Sequence, residues 1–466
     1  MEGFVVEPAV LRFRLLLPAL VICGLTAPLT AQDAQYWTVQ YGNEARLLSG
    51  AVIGSVFDLS AVFYNPGRLA LVTDPRLVLA GNVFRYTSIT VEDAFGNGTD
   101  LNTTKIGGVP SLFAGELRFK FLGSHRLAYS FLTRQDFDFD VSERLDLRGS
   151  EVGNPQFDLF TAGFVFNQNM DEYWAGLTWA HTLGTKLGIG VTTFVAVRNQ
   201  KSREQTLAQA VDTTGNAGIA LQQQGYNFQN TRLLLKLGLG GNFGNWELGA
   251  SVTTPSVGLL GSGRAAYDRT LITQDLDGPG TSISEVTTST QPDLPSTYKS
   301  PLSIGIGAAY HKGAARIHAS AEWYDAVPAY DILDPAPVVL PDTSLASFGL
   351  TQELNSVTNI AVGVEYKFGP KLTGYVGFRT DRSAIDQSLS DNTSLALWDI
   401  YHVSAGGTFS VGASDFTIGG ILATGSDVTS TGIEFIPGGG GPVDLPDELG
   451  VKFSRFTFVL GFSIGF

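Results

Sequence analysis

At 466 residues the chain is long enough for two or three soluble domains or for one large barrel, and its mean hydropathy is slightly positive although 16% of its residues are charged. After the N-terminus there is no apolar run of about eighteen residues, which excludes a membrane-spanning helix there and leaves alternating lipid-facing strands as the source of the hydrophobicity. The net charge of −14, with no basic stripe, excludes nucleic acid as a partner.

The chain opens with Arg12 and Arg14, an apolar stretch over residues 15–25, and Ala27-Pro28-Leu29-Thr30-Ala31. This reads as a secretory signal over residues 1–31, although Glu2 and Glu7 are unusual before it and place the true start further along. The single cysteine, Cys23, lies inside that segment and follows Ile22, which is not the small residue that precedes a lipidated cysteine. A mature chain cleaved near Ala31 has no cysteine, so disulfides and thiol catalysis are excluded.

Residues 32–75 lack strand alternation. Within them stands Asp58-Leu59-Ser60-Ala61-Val62-Phe63-Tyr64-Asn65-Pro66-Gly67-Arg68-Leu69. By ordinary backbone chemistry Asn65-Pro66 is a turn. The stretch resembles the N-terminal motif of the long-chain fatty acid transporter family, an outer-membrane group that includes toluene and xylene channels. Asp58, Ser60, Phe63, Tyr64, Asn65, Pro66 and Leu69 fit that motif, while Gly67 and Arg68 stand where Ala and Gly are usual. The resemblance implies a small hatch over residues 32–75 that plugs a barrel. The motif residues are expected to fix the hatch to the wall without touching substrate.

From residue 76 onward, long elaborate stretches alternate with six short turns near Gly123-Ser124, Gly184-Thr185, Gly244-Asn245, Lys312-Gly313, Gly369-Pro370 and Gly412-Ala413. Period-two columns flank them: Leu233, Leu235, Leu237 and Leu239 before one turn, and Ile360, Val362, Val364, Tyr366 and Phe368 before another. Six hairpins, an opening strand near residues 76–89 and a closing strand give about fourteen strands, with short turns and both termini periplasmic. Fourteen is also the barrel size that the resemblance implies. Long loops are expected near residues 91–108, 140–171, 199–230, 254–300, 325–357, 382–396 and 425–450, with residues 141–171 long enough to hide an extra hairpin. The glycine run at residues 437–442 has no Lys-Ser/Thr or helix start after it and is a flexible loop. Trp246, Tyr310, Trp323 and Tyr366 read as an interfacial aromatic girdle. The closing strand carries Phe456, Phe458, Leu460, Phe462, Ile464 and Phe466 on one face, with Arg455, Thr457 and small residues on the other. It resembles the last strand of outer-membrane barrels.

By strand parity, Glu116, Arg118, Lys120, Arg126, Lys186, Arg198, Arg232, Lys236, Glu247, Arg316, Glu322, Glu365, Lys367, Arg379 and Asp381 point into the lumen. Lipid-facing charge is costly, so inward polarity follows from the fold, and a lattice of salt bridges accounts for it. A sharper reading gives part of the basic set a ligand carboxylate to hold. Arg232, Arg316 and Arg379 suit paired hydrogen bonds, and Lys236 acts as a point charge. The resemblance implies a largely apolar pocket between hatch and wall, for which Tyr36, Trp37, Tyr41, Phe57 and Phe63 are candidates; packing of the hatch explains them equally well. His402 and Ser404 share a strand face but do not make a nucleophile–base pair, and no Gly-x-Ser-x-Gly occurs, so an enzyme is not expected. The five histidines show no metal-ligand spacing, and no cofactor is expected. The whole reads as an outer-membrane β-barrel with an N-terminal hatch, surrounded by outer-membrane lipid and lipopolysaccharide. The resemblance implies a passive channel for hydrophobic molecules such as long-chain fatty acids or aromatic hydrocarbons. The alternative is an outer-membrane docking or assembly partner for secreted proteins; an open porin is disfavoured by the hatch.

Overall fold

A computed structural model describes residues 35–464 apart from 73–76, 94–99, 109, 120–122, 153–154, 277–279, 342, 386–397, 413 and 431–447. The signal segment with Cys23, Lys120, the glycine run and Phe466 lie outside the described residues.

The wall is one antiparallel sheet. Its strands are β1 (Leu77–Val91), β2 (Leu101–Gly107 and Pro110–Leu117), β3 (His125–Arg148), β4 (Phe157–Leu183), β5 (Leu187–Asp212), β6 (Ala217–Phe243) and β7 (Trp246–Thr253 and Val257–Thr273). They continue as β8 (Ile283–Pro295 and Ser303–Lys312), β9 (Ala315–Tyr324), β10 (Val357–Lys367), β11 (Leu372–Asp381), β12 (Ile400–Val411), β13 (Ser414–Ser430) and β14 (Glu448–Ile464). Each pairs with the next, and β14 returns to β1 from Leu77↔Ile464 to Val91↔Val451, so the fourteen strands form a ring without a free edge. Among the described residues no helix is long and apolar enough to cross a membrane.

Five of the six expected short turns pivot on a glycine with φ between +56° and +65°, at Gly123, Gly184, Gly244, Gly313 and Gly412. Only a residue without Cβ enters that region cheaply, which is why a two-residue hairpin turn needs it.

Parity holds across the membrane band. Leu237 and Leu239 are 49% and 48% exposed on the outer face, while Arg232 and Lys236 on the same strand are 1% and 3% exposed inside. Ile306, Val362, Val376 and Phe456 also face outward. Leu237→Arg is therefore expected to cost about 2–4 kcal/mol, the range for a basic residue near the midplane of a barrel wall. Reversible denaturant unfolding in lipid checks this, and an unchanged midpoint would contradict the placement.

The expected loops at residues 140–171, 199–230 and 254–300 are corrected. They are mostly strand: β3 runs to Arg148 and β4 starts at Phe157, β5 and β6 reach Asp212 and Ala217, and β7 and β8 continue to Thr273 and from Ile283. Residues 141–171 hide no extra hairpin, because β3 and β4 pair with each other from His125↔His181 to Arg148↔Leu159. Above the lipid both faces of a strand can be polar, so the period-two signal fades although pairing continues. The 325–357 segment also folds. Val327–Leu333 pairs with Leu350–Leu354, and Ile332, Leu333 and Leu350 pack on Phe228 and Tyr298.

Inside the lower lumen lies the hatch, with three short helices: α1 (Asn43–Leu47), α2 (Ala61–Tyr64) and α3 (Pro66–Leu69). Leu47, Leu48, Val52, Val56, Leu59 and Val62 form its core and merge with wall residues Ala80, Leu112, Phe194 and Leu234.

Candidate functional site: a hatch-side pocket

Asn65 builds the hatch–wall joint. Its extended backbone precedes α3, its Oδ1 accepts from the Gly67 amide at 3.0 Å, and Pro66 fills the first helical position, where a missing N–H does no harm. Asn65 Nδ2 donates to Ile53 O and to the wall carbonyl Leu239 O, both at 2.9 Å. Gly67 then lies against bare wall backbone: a Cβ there would sit 2.6 Å from Gly238 O and 2.7 Å from Gly188 O. That contact explains why glycine stands where the resembled motif has alanine.

The other motif residues brace the hatch. Asp58 Oδ1 accepts from the Ser60 amide at 2.9 Å. Tyr64 donates its hydroxyl hydrogen to Gln40 Oε1 at 2.8 Å and accepts from the Tyr41 amide at 3.0 Å. Burial, reinforced by the Asp58 charge, pushes the Glu44 carboxyl up to about 8.

Arg68, where the resembled motif has glycine, points to the wall. It pairs with Glu247 at 3.2 Å and donates to Asn242 Oδ1 at 2.5 Å. Arg316 also pairs with Glu247, reaches Ser55 O at 2.8 Å, and lies 5.1 Å over the Phe57 ring. His311 Nε2 completes the group, 2.8 Å from Glu247 Oε1. Arg379 donates to Trp37 O and Thr38 O at 3.1 and 3.3 Å, while Asp381 accepts from the Trp37 amide and the Thr38 hydroxyl at 2.8 and 2.7 Å. Phe57, Arg316 and Arg379, candidates for ligand contact, are thus engaged in hatch–wall contacts and lie apart from the pocket described next.

That pocket lies between hatch and wall. Tyr36 and Phe63 from the hatch, and Trp174, Arg232, Leu234, Lys236, Tyr298, Tyr324 and Leu354, are among its lining residues, with Glu172 and Glu322. Phe63, Arg232 and Lys236 are the expected ligand residues that it brings together. Glu172 accepts from Arg232 at 2.5 Å, Arg198 at 3.1 Å and the Trp174 indole at 2.6 Å. Lys236 lies 3.4 Å from Glu322 and 5.0 Å over the Phe63 ring.

Two local irregularities shape this pocket. In β3 Arg134 faces inward in phase with Ala128, Ser130 and Leu132, and the register slips between Thr133 and Gln135, a bulge that turns Gln135 inward beside it. The Arg134 guanidinium donates to Tyr36 O at 2.6 Å and lies 5.7 and 5.6 Å over Phe63 and Trp174. In β8 the strand breaks over residues 296–302, and Tyr298 turns into the lumen beneath the guanidiniums of Arg198 and Arg232, at 4.1 and 4.7 Å. Arg134 shares the parity of Arg126 and was within reach of the sequence, whereas Tyr298 was not, because parity assumes an unbroken strand.

Ser55, His318 and Glu365 form a chain resembling a hydrolase constellation, with Ser55 Oγ 2.8 Å from His318 Nδ1 and Glu365 3.7 Å from Nε2. Both Ser55 and His318 are 0% exposed, and the Gly54 backbone presses on Gly307, so the chain anchors the hatch and has no room for substrate. His402 and Ser404 have separate partners, Arg379 and the hatch residues Leu47 and Ser49.

No protein-family model matches the chain, and no curated protein matches it. Solved structures do. The toluene transporter TodX of Pseudomonas putida aligns with 13% identity and a TM-score of 0.55, covering 93% of this chain and all (100%) of that one. A FadL homologue of Pseudomonas aeruginosa aligns with 12% identity and a TM-score of 0.55, covering 92% and 99%. The deltaS2 mutant of the TodX monoaromatic hydrocarbon channel reaches 14% and 0.59, covering 91% and 99%. The chain is an outer-membrane-type β-barrel. More particularly, it has the fold of the toluene transporter TodX and of the FadL homologue, a likeness of fold at these identities.

Proposed function

We propose that the protein is a passive outer-membrane channel for the uptake of hydrophobic compounds, with both termini in the periplasm and lipopolysaccharide around the outer rim. The supporting observation is the aromatic pocket between hatch and wall, formed by Tyr36, Phe63, Trp174, Tyr298 and Tyr324 beside the broken strand β8. A molecule passing from the loops reaches rings there instead of water, and its concentration gradient drives it. The hatch motif residues hold the plug, while Phe63 alone among them meets the cargo.

Liposomes carrying the purified barrel are expected to take up labelled oleate or toluene several-fold faster than empty liposomes. Rates equal to those of empty liposomes for both solutes would overturn the reading.

A further inference from the structure

We propose that the hatch-side pocket selects an aromatic acid, a flat ring carrying one carboxylate, over a neutral hydrocarbon. The inference rests on the channel reading above and concerns only which molecules the pocket prefers.

Charge carries the first half of the argument. The described lining residues include three buried cations, Arg134, Arg232 and Lys236, and the exposed Lys299, against two carboxylates, Glu172 and Glu322. Both carboxylates are already saturated. Glu172 holds Arg232, Arg198 and the Trp174 indole, while Glu322 receives Lys236, Ser303 at 2.7 Å, Tyr324 at 2.8 Å and Trp37 at 2.9 Å. Arg232 is 1% exposed, and its Nη1 is buried without a hydrogen-bond partner. A buried guanidinium nitrogen without an acceptor is unfavourable, and a surplus of buried positive charge adds to the penalty. A neutral hydrocarbon relieves neither. One incoming carboxylate supplies the acceptor and reduces the surplus, and guanidinium grips it through paired bonds.

Shape carries the second half. Five rings line the pocket, and only Leu234 and Leu354 are branched aliphatics. Tyr36 and Tyr324 stack at 4.2 Å with 13° between planes, while Phe63 and Trp174 stand tilted at 6.3 Å. Such walls offer offset-stacked and edge-on contacts to another ring, geometries that a saturated chain cannot use.

The test measures equilibrium binding to the intact purified protein in detergent, with empty micelles as baseline, for 2-naphthoate, 2-methylnaphthalene and oleate. The expected result is naphthoate at least 10-fold tighter than methylnaphthalene and tighter than oleate, with the preference over methylnaphthalene weakening in 0.5 M salt. Arg232→Gln is expected to reduce that preference to about 2-fold; should this variant misfold, the comparison of probes on the unaltered protein still decides. Equal binding of naphthoate and methylnaphthalene overturns the proposal and leaves the channel reading intact. Oleate tighter than naphthoate overturns the aromatic assignment. Uptake into liposomes with no binding of any probe overturns the pocket as the selecting site, whereas absence of uptake is the separate failure of the channel reading.

Discussion

Asn65→Ala should loosen the hatch more than any other single change in the motif. Asn65 is 0% exposed, and its amide serves three buried backbone groups: the Gly67 N–H, Ile53 O and Leu239 O. Alanine strands all three away from water. At about 1–3 kcal/mol for each buried group left unpaired, the expected loss is about 3–9 kcal/mol, a large part of what holds a small plug in place. Aspartate is not a remedy. It keeps the acceptor for Gly67, but it loses both donated bonds and buries a charge against two carbonyl oxygens. Hydrogen exchange over residues 61–69 should therefore rise in both variants, and planar bilayers should record larger and more frequent openings. Exchange unchanged from the parent protein would sink the claim that Asn65 is the joint.

Glu247→Gln has the second largest expected effect. One carboxylate receives Arg68 from the hatch and Arg316 from the wall, with His311 alongside. Glutamine keeps the shape but removes the charge, leaving Arg68 without this carboxylate and Arg316 with Glu365 at 3.4 Å. Breaking a buried ion pair from one side costs about 3–5 kcal/mol, because the remaining charge is uncompensated. Arg68→Gly, which restores the residue usual in the resembled motif, should be milder, since Glu247 keeps Arg316. The double variant should recover part of the loss of Glu247→Gln, the signature of coupled residues. Midpoints from denaturant unfolding of the four proteins provide the measurement, and strictly additive losses would show that Arg68 and Glu247 act independently.

The wall was legible in the sequence wherever lipid enforces a contrast between faces. Leu233, Leu235, Leu237 and Leu239 against Arg232 and Lys236 specify one strand and its orientation without any structure. Above the lipid that contrast vanishes, and β5 and β6 read as loop although they pair from Leu187↔Gly241 to Val211↔Ala217. The pocket was half legible. Phe63, Arg232 and Lys236 follow from the motif and from parity. Arg134 has the inward parity of Arg126 and could be read from it, whereas Tyr298 is inward only because β8 breaks. Arg316 and Arg379 have the right chemistry for a carboxylate, but their position relative to the hatch is a tertiary fact, and the hatch occupies them.

The glycines beneath the hatch carry one more consequence. Gly188, Gly238 and Gly67 bring peptide groups of wall and plug into direct contact, so that stretch of bore has no side chains of its own. Without the hatch it would be walled by bare amides and carbonyls, a surface that water wets readily. A barrel lacking residues 35–72 would then admit ions and small polar antibiotics before it admitted any oil. On the channel reading proposed above, the hatch would then serve as a permeability barrier as well as part of the uptake route.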